Sequence, residues 1–168
     1  EPQWLAGVVI GVRIKMGRRG KMAFVSLEDE QGTQDIILYD EQLSAYKDKI
    51  KEDQLIFVRA KLSNDEYSGG FRATAEEVLS LTDARNRFTR QLWLRFDAEA
   101  DEAMAQQLLQ ILSLHRMDDG CPIYIDYQHA AALCQLRLSL AWRIDLNDSA
   151  LQALRTLSLL SGSYAGLN

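Results

Sequence analysis

The chain has 168 residues, 47% hydrophobic and 26% charged, a composition for a soluble globular protein of one ordinary domain or two small ones. No apolar run of about 18 residues occurs, which excludes a membrane-spanning helix. The formal net charge of −5 argues against indiscriminate duplex binding but not against a local single-strand site.

The start, Glu1-Pro2-Gln3-Trp4, has neither Met nor a signal-peptide pattern and reads as the cut end of a longer chain. Leu5 to Ile14 reads as a long strand, with Ala6, Val8, Ile10, Val12 and Ile14 on one face by the two-residue period. Gly7 and Gly11 fall on the other face, where glycines mark bends or bulges such as barrel corners need. From Arg13 to Lys21 the chain carries five basic residues and no acidic one. Gly17 and Gly20 let it turn there, which makes a basic loop suited to gripping anions. Met22 to Glu28 is a second strand, with Ala23, Val25 and Leu27 on one face and Met22, Phe24 and Ser26 on the other. Asp29 to Gly32 is a turn, and Thr33 to Tyr39 a third strand.

Asp40 to Lys51 changes period: Leu43, Tyr46 and Ile50 recur at helical spacing, with Asp40 as N-cap. Leu55 to Leu62 is a fourth strand, Ser63 to Gly70 a polar loop, and Phe71 to Leu81 a fifth strand. Five strands with a helix between the third and fourth is the order of an OB-fold barrel; a five-stranded sheet of another topology fits the same pattern. Thr82 to Arg90 is a charged connector, itself open to helix, and places a boundary that divides the chain into residues 1–83 and 84–168. Then come a short strand at Leu92 to Phe96, a helix at Ala98 to Leu114, and a turn at Asp118-Asp119-Gly120. Two strands follow, at Ile123 to Tyr127 and Leu133 to Leu140, the second extendable through Trp142-Arg143-Ile144. A last helix spans Ser149 to Leu160, capped by Asp148 and stopped by Gly162. The tail from Ser163 to Asn168 is short and small. The second half reads βαββα, a small α+β domain, so the whole is mixed β and α+β. There is no internal repeat and no low-complexity tract.

Catalytic signatures are missing. Nothing matches a Ser-His-Asp, Cys-His or phosphate-loop pattern, and Gly17 to Lys21 is too short for the last. Glu28-Asp29-Glu30 and Asp118-Asp119 fall in predicted turns, where acids are ordinarily solvated. Cys121 and Cys134 match no zinc or redox spacing and read as reduced structural thiols; His115 and His129 lack ligand partners. No metal or cofactor is called for.

Binding is better supported. An OB barrel takes oligonucleotides on its second and third strands, between the loops after strands one and four. Arg13, Lys15, Arg18, Arg19 and Lys21 suit a phosphate backbone, and Phe24, opposite the apolar face, suits base stacking. Tyr39 and Phe57 are companions by the same alternation, with packing the competing role for each. The loop Ser63 to Phe71, with Tyr67 and then Arg72, forms the opposite wall. Gln91 to Phe96 has some likeness to sliding-clamp peptides, but it reads as a domain's first strand and Arg95 interrupts its hydrophobic pair.

The pattern Leu5-Ala6-Gly7-Val8-Val9, Leu27-Glu28-Asp29, Tyr67-Ser68-Gly69-Gly70, Thr74 to Val78, Asp83-Ala84-Arg85, Leu136-Arg137-Leu138 and Trp142-Arg143-Ile144 resembles the C-terminal region of the bacterial DNA polymerase III alpha subunit. The resemblance runs nearly the whole length. It implies an OB domain that contacts single-stranded DNA template and a small C-terminal domain that binds the tau subunit of the clamp loader. It further implies contact with other replisome subunits through a parent polymerase chain, a bacterial cytoplasmic location and no membrane. In that family the polymerase acids lie upstream, so the fragment is expected to be non-catalytic. Lys21 to Asp29 also resembles the anticodon-binding OB domain of class II aminoacyl-tRNA synthetases, though the βαββα half fits that family poorly. A third reading is a protein-interaction module whose OB face is occupied by protein.

Overall fold

The computed structural model describes residues 1–18, 20–65, 70–129 and 131–164. Two compact units divide between Leu81 and Thr82.

The first unit runs β1 (Gln3–Gly17), β2 (Gly20–Asp29), β3 (Gly32–Tyr39), α1 (Asp40–Tyr46), β4 (Leu55–Asp65) and β5 (Gly70–Ser80). The strands close into a barrel in the order β1-β2-β3-β5-β4, the OB-fold topology. β1 serves two neighbours: residues up to Val8 pair with β4, and from Val8 onward the strand pairs with β2. Between Val9 and Gly11 the register with β2 shifts, leaving Ile10 as the extra residue of a bulge. The bulge overturns the single apolar face expected for β1. Before it the odd positions turn inward, and Gly7 and Val9 are buried while Ala6 and Val8 are exposed. After it the even residue Val12 faces Val25 and packs against the core. Gly7 has a steric reason: a Cβ there would lie 2.9 Å from the carbonyl oxygen of Glu28. At Gly11 nothing stands within 4 Å.

The barrel interior is small and aliphatic: Val9, Ala23, Val25, Leu27, Ile36, Leu38, Ile56, Val58, Ala60, Ala73, Ala75 and Val78 are all buried. Each larger one contributes about 1.5–3 kcal/mol on burial. Leu43 of α1 and Ile50 beyond it join the same core. α1 ends at Tyr46, shorter than expected, because a tight turn (Lys49 N–H to the Tyr46 carbonyl, 2.9 Å) replaces the next helical turn. Its N-cap is Tyr39, not Asp40, and Asp40 sits in the first turn, where an acid suits the helix dipole.

The second unit runs α2 (Leu81–Phe88), β6 (Thr89–Phe96), α3 (Glu102–Leu114), β7 (Arg116–Cys121), β8 (Ile123–His129), β9 (Ala132–Arg137), a 3-10 turn at Leu140–Trp142, α4 (Asp148–Leu157) and β10 (Leu159–Tyr164). Leu81, at the unit boundary, is the first residue of α2. The sheet order is β10-β6-β8-β9, with β6 and β8 parallel and the edge pairs antiparallel. Leu92, Leu94 and Phe96 meet Leu108 and Leu112 of α3 and Leu154 of α4 in one core. Asp101 caps α3 by accepting from the Met104 N–H at 2.9 Å, and Asn147 caps α4 through the Ala150 N–H at 2.9 Å. The expected starts, Ala98 and an Asp148 cap, are therefore displaced.

Two expectations fail here. Asp118-Asp119-Gly120 is not a turn but lies in β7, which bridges Ile144 from Arg116 and Cys121. Gly120 is the residue that permits it, since a Cβ there would lie 2.4 Å from the Ile144 carbonyl oxygen. The last helix stops at Leu157, and the chain continues into β10, which pairs with β6. The βαββα reading thus missed two strands. Cys121 is buried and Cys134 exposed. No helix among the described residues is long and apolar enough to cross a membrane.

Candidate nucleic-acid interface

Cross-strand partners share a face of a sheet, so the pairings of β1, β2 and β3 lay out the outer face of the barrel in rows. Gly11, Ser26 and Asp35 form one row; Arg13, Phe24 and Ile37 the next; Lys15, Met22 and Tyr39 the third. The inner residues Ala23, Val25 and Leu27 are 0%, 0% and 4% exposed, which forces Phe24 outward. Phe24 is half-buried, and the Lys15 ammonium stands 5.1 Å from its ring centroid. That is cation–π range, about 0.5–1 kcal/mol at an exposed site. The ring is thus held in place by a cation that also attracts phosphate.

Arg13 is committed differently. Its guanidinium bonds Asp35 Oδ2 at 3.0 Å, and the Ser26 hydroxyl donates to Asp35 Oδ1 at 2.6 Å. Both partners are well exposed, at 63% and 46%, so the pair is worth roughly 0–1 kcal/mol and a phosphate competes with it readily. Asp35, which engages Arg13 and Ser26 on this face, is a residue that the sequence pattern did not bring forward. The two-residue alternation back from Ile37 was the signal that would have found it.

Arg18 and Lys21 are exposed where β1 turns into β2. With Tyr39 and the acidic start of α1 at Asp40 and Glu41 they line a groove of about 740 Å³. Tyr39 is 43% exposed, as a stacking role requires. Arg72 is exposed on β5, one residue before Ala73, which pairs with Ile36 one residue beyond Asp35. Phe57 does not join the rows: it is half-buried on β4, between Ala6 of β1 and Leu79 of β5. Arg19 and Tyr67 lie outside the described residues. Among the described residues no three His, Cys, Asp or Glu side chains form a metal-binding group.

Residues 3–81 match the family described as OB-fold nucleic acid binding domain. Residues 107–158 match the DNA polymerase III subunit alpha, C-terminal domain. Among curated relatives, DNA polymerase III subunit alpha of Escherichia coli is 31% identical over 154 residues, 90% of this chain and 13% of the relative. The protein of the same name from Neisseria meningitidis is 35% identical over 157 residues, 91% of this chain and 14% of the relative. The chain thus spans 13–14% of the length of these relatives. The second OB-fold domain of replication protein A from Methanococcus maripaludis aligns with 48% of this chain and 84% of its own, at 14% identity and a TM-score of 0.39. Matched in both units and over about nine tenths of its length, the chain belongs to the DNA polymerase III alpha family, where it corresponds to the C-terminal region.

Proposed function

We propose that the chain is a non-catalytic part of a cytoplasmic bacterial DNA-directed DNA polymerase, with two docking tasks. Residues 1–83 bind single-stranded template DNA, and residues 84–168 dock the tau subunit of the clamp loader; other replisome subunits are reached through the parent chain. The observation that carries the first task is the outward Phe24 with Lys15 over its ring, beside the exposed cations Arg18 and Lys21. Stacking fixes a base while the cations follow its phosphates, a combination suited to unpaired strands.

Fluorescence anisotropy with labelled single-stranded DNA, duplex DNA and tRNA tests it. Single strands should bind best, with affinity falling as salt rises. Phe24→Ala should weaken binding by roughly 5- to 150-fold, from the 1–3 kcal/mol typical of base–aromatic stacking. Arg18→Ala with Arg19→Ala should flatten the salt dependence. Unchanged affinity in both variants would sink the assignment, and a preference for tRNA would move the chain toward anticodon binding.

Support for the second task is the match of residues 107–158 together with β9, the last strand of its sheet. Leu133 and Leu136 on β9 are 62% and 49% exposed, and an edge strand with exposed leucines is a natural site for strand addition. Truncation after Ile144 is a poor test, because it removes the core residue Leu154 and the strand paired with β6. Leu133→Asp with Leu136→Asp is the better one. It should weaken capture of purified tau tenfold or more, and undiminished capture would remove β9 from the interface.

A further inference from the structure

The C-terminal sheet has a second face, opposite the one packed on α3 and α4; Leu133 of the proposed tau-docking edge lies at its margin, paired with Gln128 and two positions from Gln135. β6 turns Leu92, Leu94 and Phe96 toward α3 and α4, so Trp93 and Arg95 point the other way. Pairing extends these into two rows across β6, β8 and β9: Trp93, Tyr124 and Arg137, then Arg95, Asp126 and Gln135. The first row is aromatic. The Trp93 and Tyr124 rings lie 4.8 Å apart at 32°, and the Arg137 guanidinium stands 5.8 Å from the Tyr124 centroid. The second row is polar. Arg95 Nε lies 3.3 Å from Asp126 Oδ2. Trp93, Arg95, Asp126 and Gln135 line a cavity of about 260 Å³.

Asp126 makes this more than a decorated surface. Its side chain is only 10% exposed, and its Oδ1 has no hydrogen-bond partner among the described residues. A carboxylate withdrawn from water with one long ion pair is short of donors, and a partner that supplies them is favoured. Arg95 is 54% exposed, so its guanidinium swings aside at little cost and uncovers the carboxylate. The pocket therefore asks for a flat ligand with N–H donors at one edge and a carbonyl for Arg95 or Gln135. A cationic peptide side chain fits poorly, because Arg95 and Arg137 already supply two positive charges against one carboxylate. An unpaired guanine fits on each count. Its N1–H and amino group serve Asp126, its O6 serves Arg95 or Gln135, its ring stacks on Trp93, and its phosphate meets the arginines.

We propose that this pocket is a second nucleobase site, which takes an unpaired guanine presented by a single strand or by a free nucleotide. The site does not depend on the barrel face. The test is titration of the ¹⁵N-labelled 168-residue chain, with the Trp93 indole N–H, assigned by Trp93→Phe, followed by NMR. The probes are dGMP, dTMP, d(TTGTT) and d(TTTTT). The indole resonance should move with d(TTGTT) at an affinity tenfold or more above d(TTTTT). Movement with dGMP to the same extent identifies a free-nucleotide site, and movement with d(TTGTT) alone a strand site. Asp126→Asn should cut guanine affinity tenfold or more, and the exposed Arg137→Ala, which leaves the core untouched, several-fold. Phe24→Ala should leave all these shifts in place, so failure of the barrel reading is told apart from failure of this one. A still Trp93 resonance with every probe, or shifts equal for G and T and unmoved by both variants, overturns the proposal.

Discussion

The outer face of the barrel and the second face of the C-terminal sheet use the same parts and finish them differently. Each has an aromatic ring under a cation, Phe24 under Lys15 and Tyr124 under Arg137. Each has an arginine paired with an aspartate, Arg13 with Asp35 and Arg95 with Asp126. On the barrel both Asp35 oxygens are satisfied, by Ser26 and Arg13, and the carboxylate is 46% exposed. On the C-terminal sheet the carboxylate is 10% exposed, and one oxygen accepts nothing among the described residues. A satisfied, wet carboxylate makes no demand on a ligand, so the barrel face suits strands of any sequence. A dry, unsatisfied one demands a particular donor pattern, so the second face suits one kind of base.

The largest expected effect separates the two faces outright. Gly120→Ala should destabilise the C-terminal unit by about 3 kcal/mol or more, since its Cβ would meet the Ile144 backbone at 2.4 Å, a contact no side-chain rotation relieves. Gly11→Ala, with nothing within 4 Å, is the matched control in the barrel. Thermal melts by circular dichroism should show a much lower transition for the first and little change for the second. Equal melts would mean the segment at Ile144 yields and the close approach is not a constraint.

A second contrast is set by burial of the two cysteines. Burial pushes the Cys121 thiol up to about 11, from an ordinary value of 9.0, although Arg143 pulls it down. The native state therefore holds that proton more tightly than the unfolded chain. This stabilisation is full below pH 9 and is lost as pH rises from 9 toward 11. At pH 8 an aromatic disulfide reagent should modify the exposed Cys134 quickly and Cys121 only after denaturant is added. Two fast thiols in the native protein would contradict the packing around β7.

Much of the barrel was legible because β2 alternates cleanly. Ala23, Val25 and Leu27 mark the inside, so Phe24 had to be outside, and the helix between strands three and four marked the topology. The single face expected for β1 fails because a bulge at Ile10 exchanges its faces midway, and aliphatic residues on both sides of the strand, Leu5 and Val9 on one and Ala6, Val8 and Val12 on the other, hide that exchange. In the second unit, Asp118-Asp119-Gly120 has turn chemistry, yet the glycine is there for a close backbone approach. β10 escaped because Leu159 and Leu160 continue the leucine spacing of α4, while their pairing with β6 is fixed more than sixty positions away. The residues of the second face were invisible for the same reason. Trp93, Tyr124 and Arg137 come together only through strand registers that link distant segments.

The smallest effect bears most directly on how the barrel works. Asp35→Asn keeps the shape of the side chain and its capacity to accept from Ser26, but removes the charge that engages Arg13. If Arg13 must leave Asp35 to meet a phosphate, the substitution frees it. It also removes a negative charge from a face that binds a polyanion. Both changes act in one direction, and an exposed pair of this kind is worth at most about 1 kcal/mol. Single-strand affinity should therefore rise by up to about fivefold, with a steeper salt dependence because one more cation meets phosphate. The gain should shrink in the Arg13→Ala background, to the part that comes from lost repulsion alone. Should it persist there in full, Asp35 acts only by repelling the strand, and Arg13 is a structural partner of β3 rather than part of the binding surface.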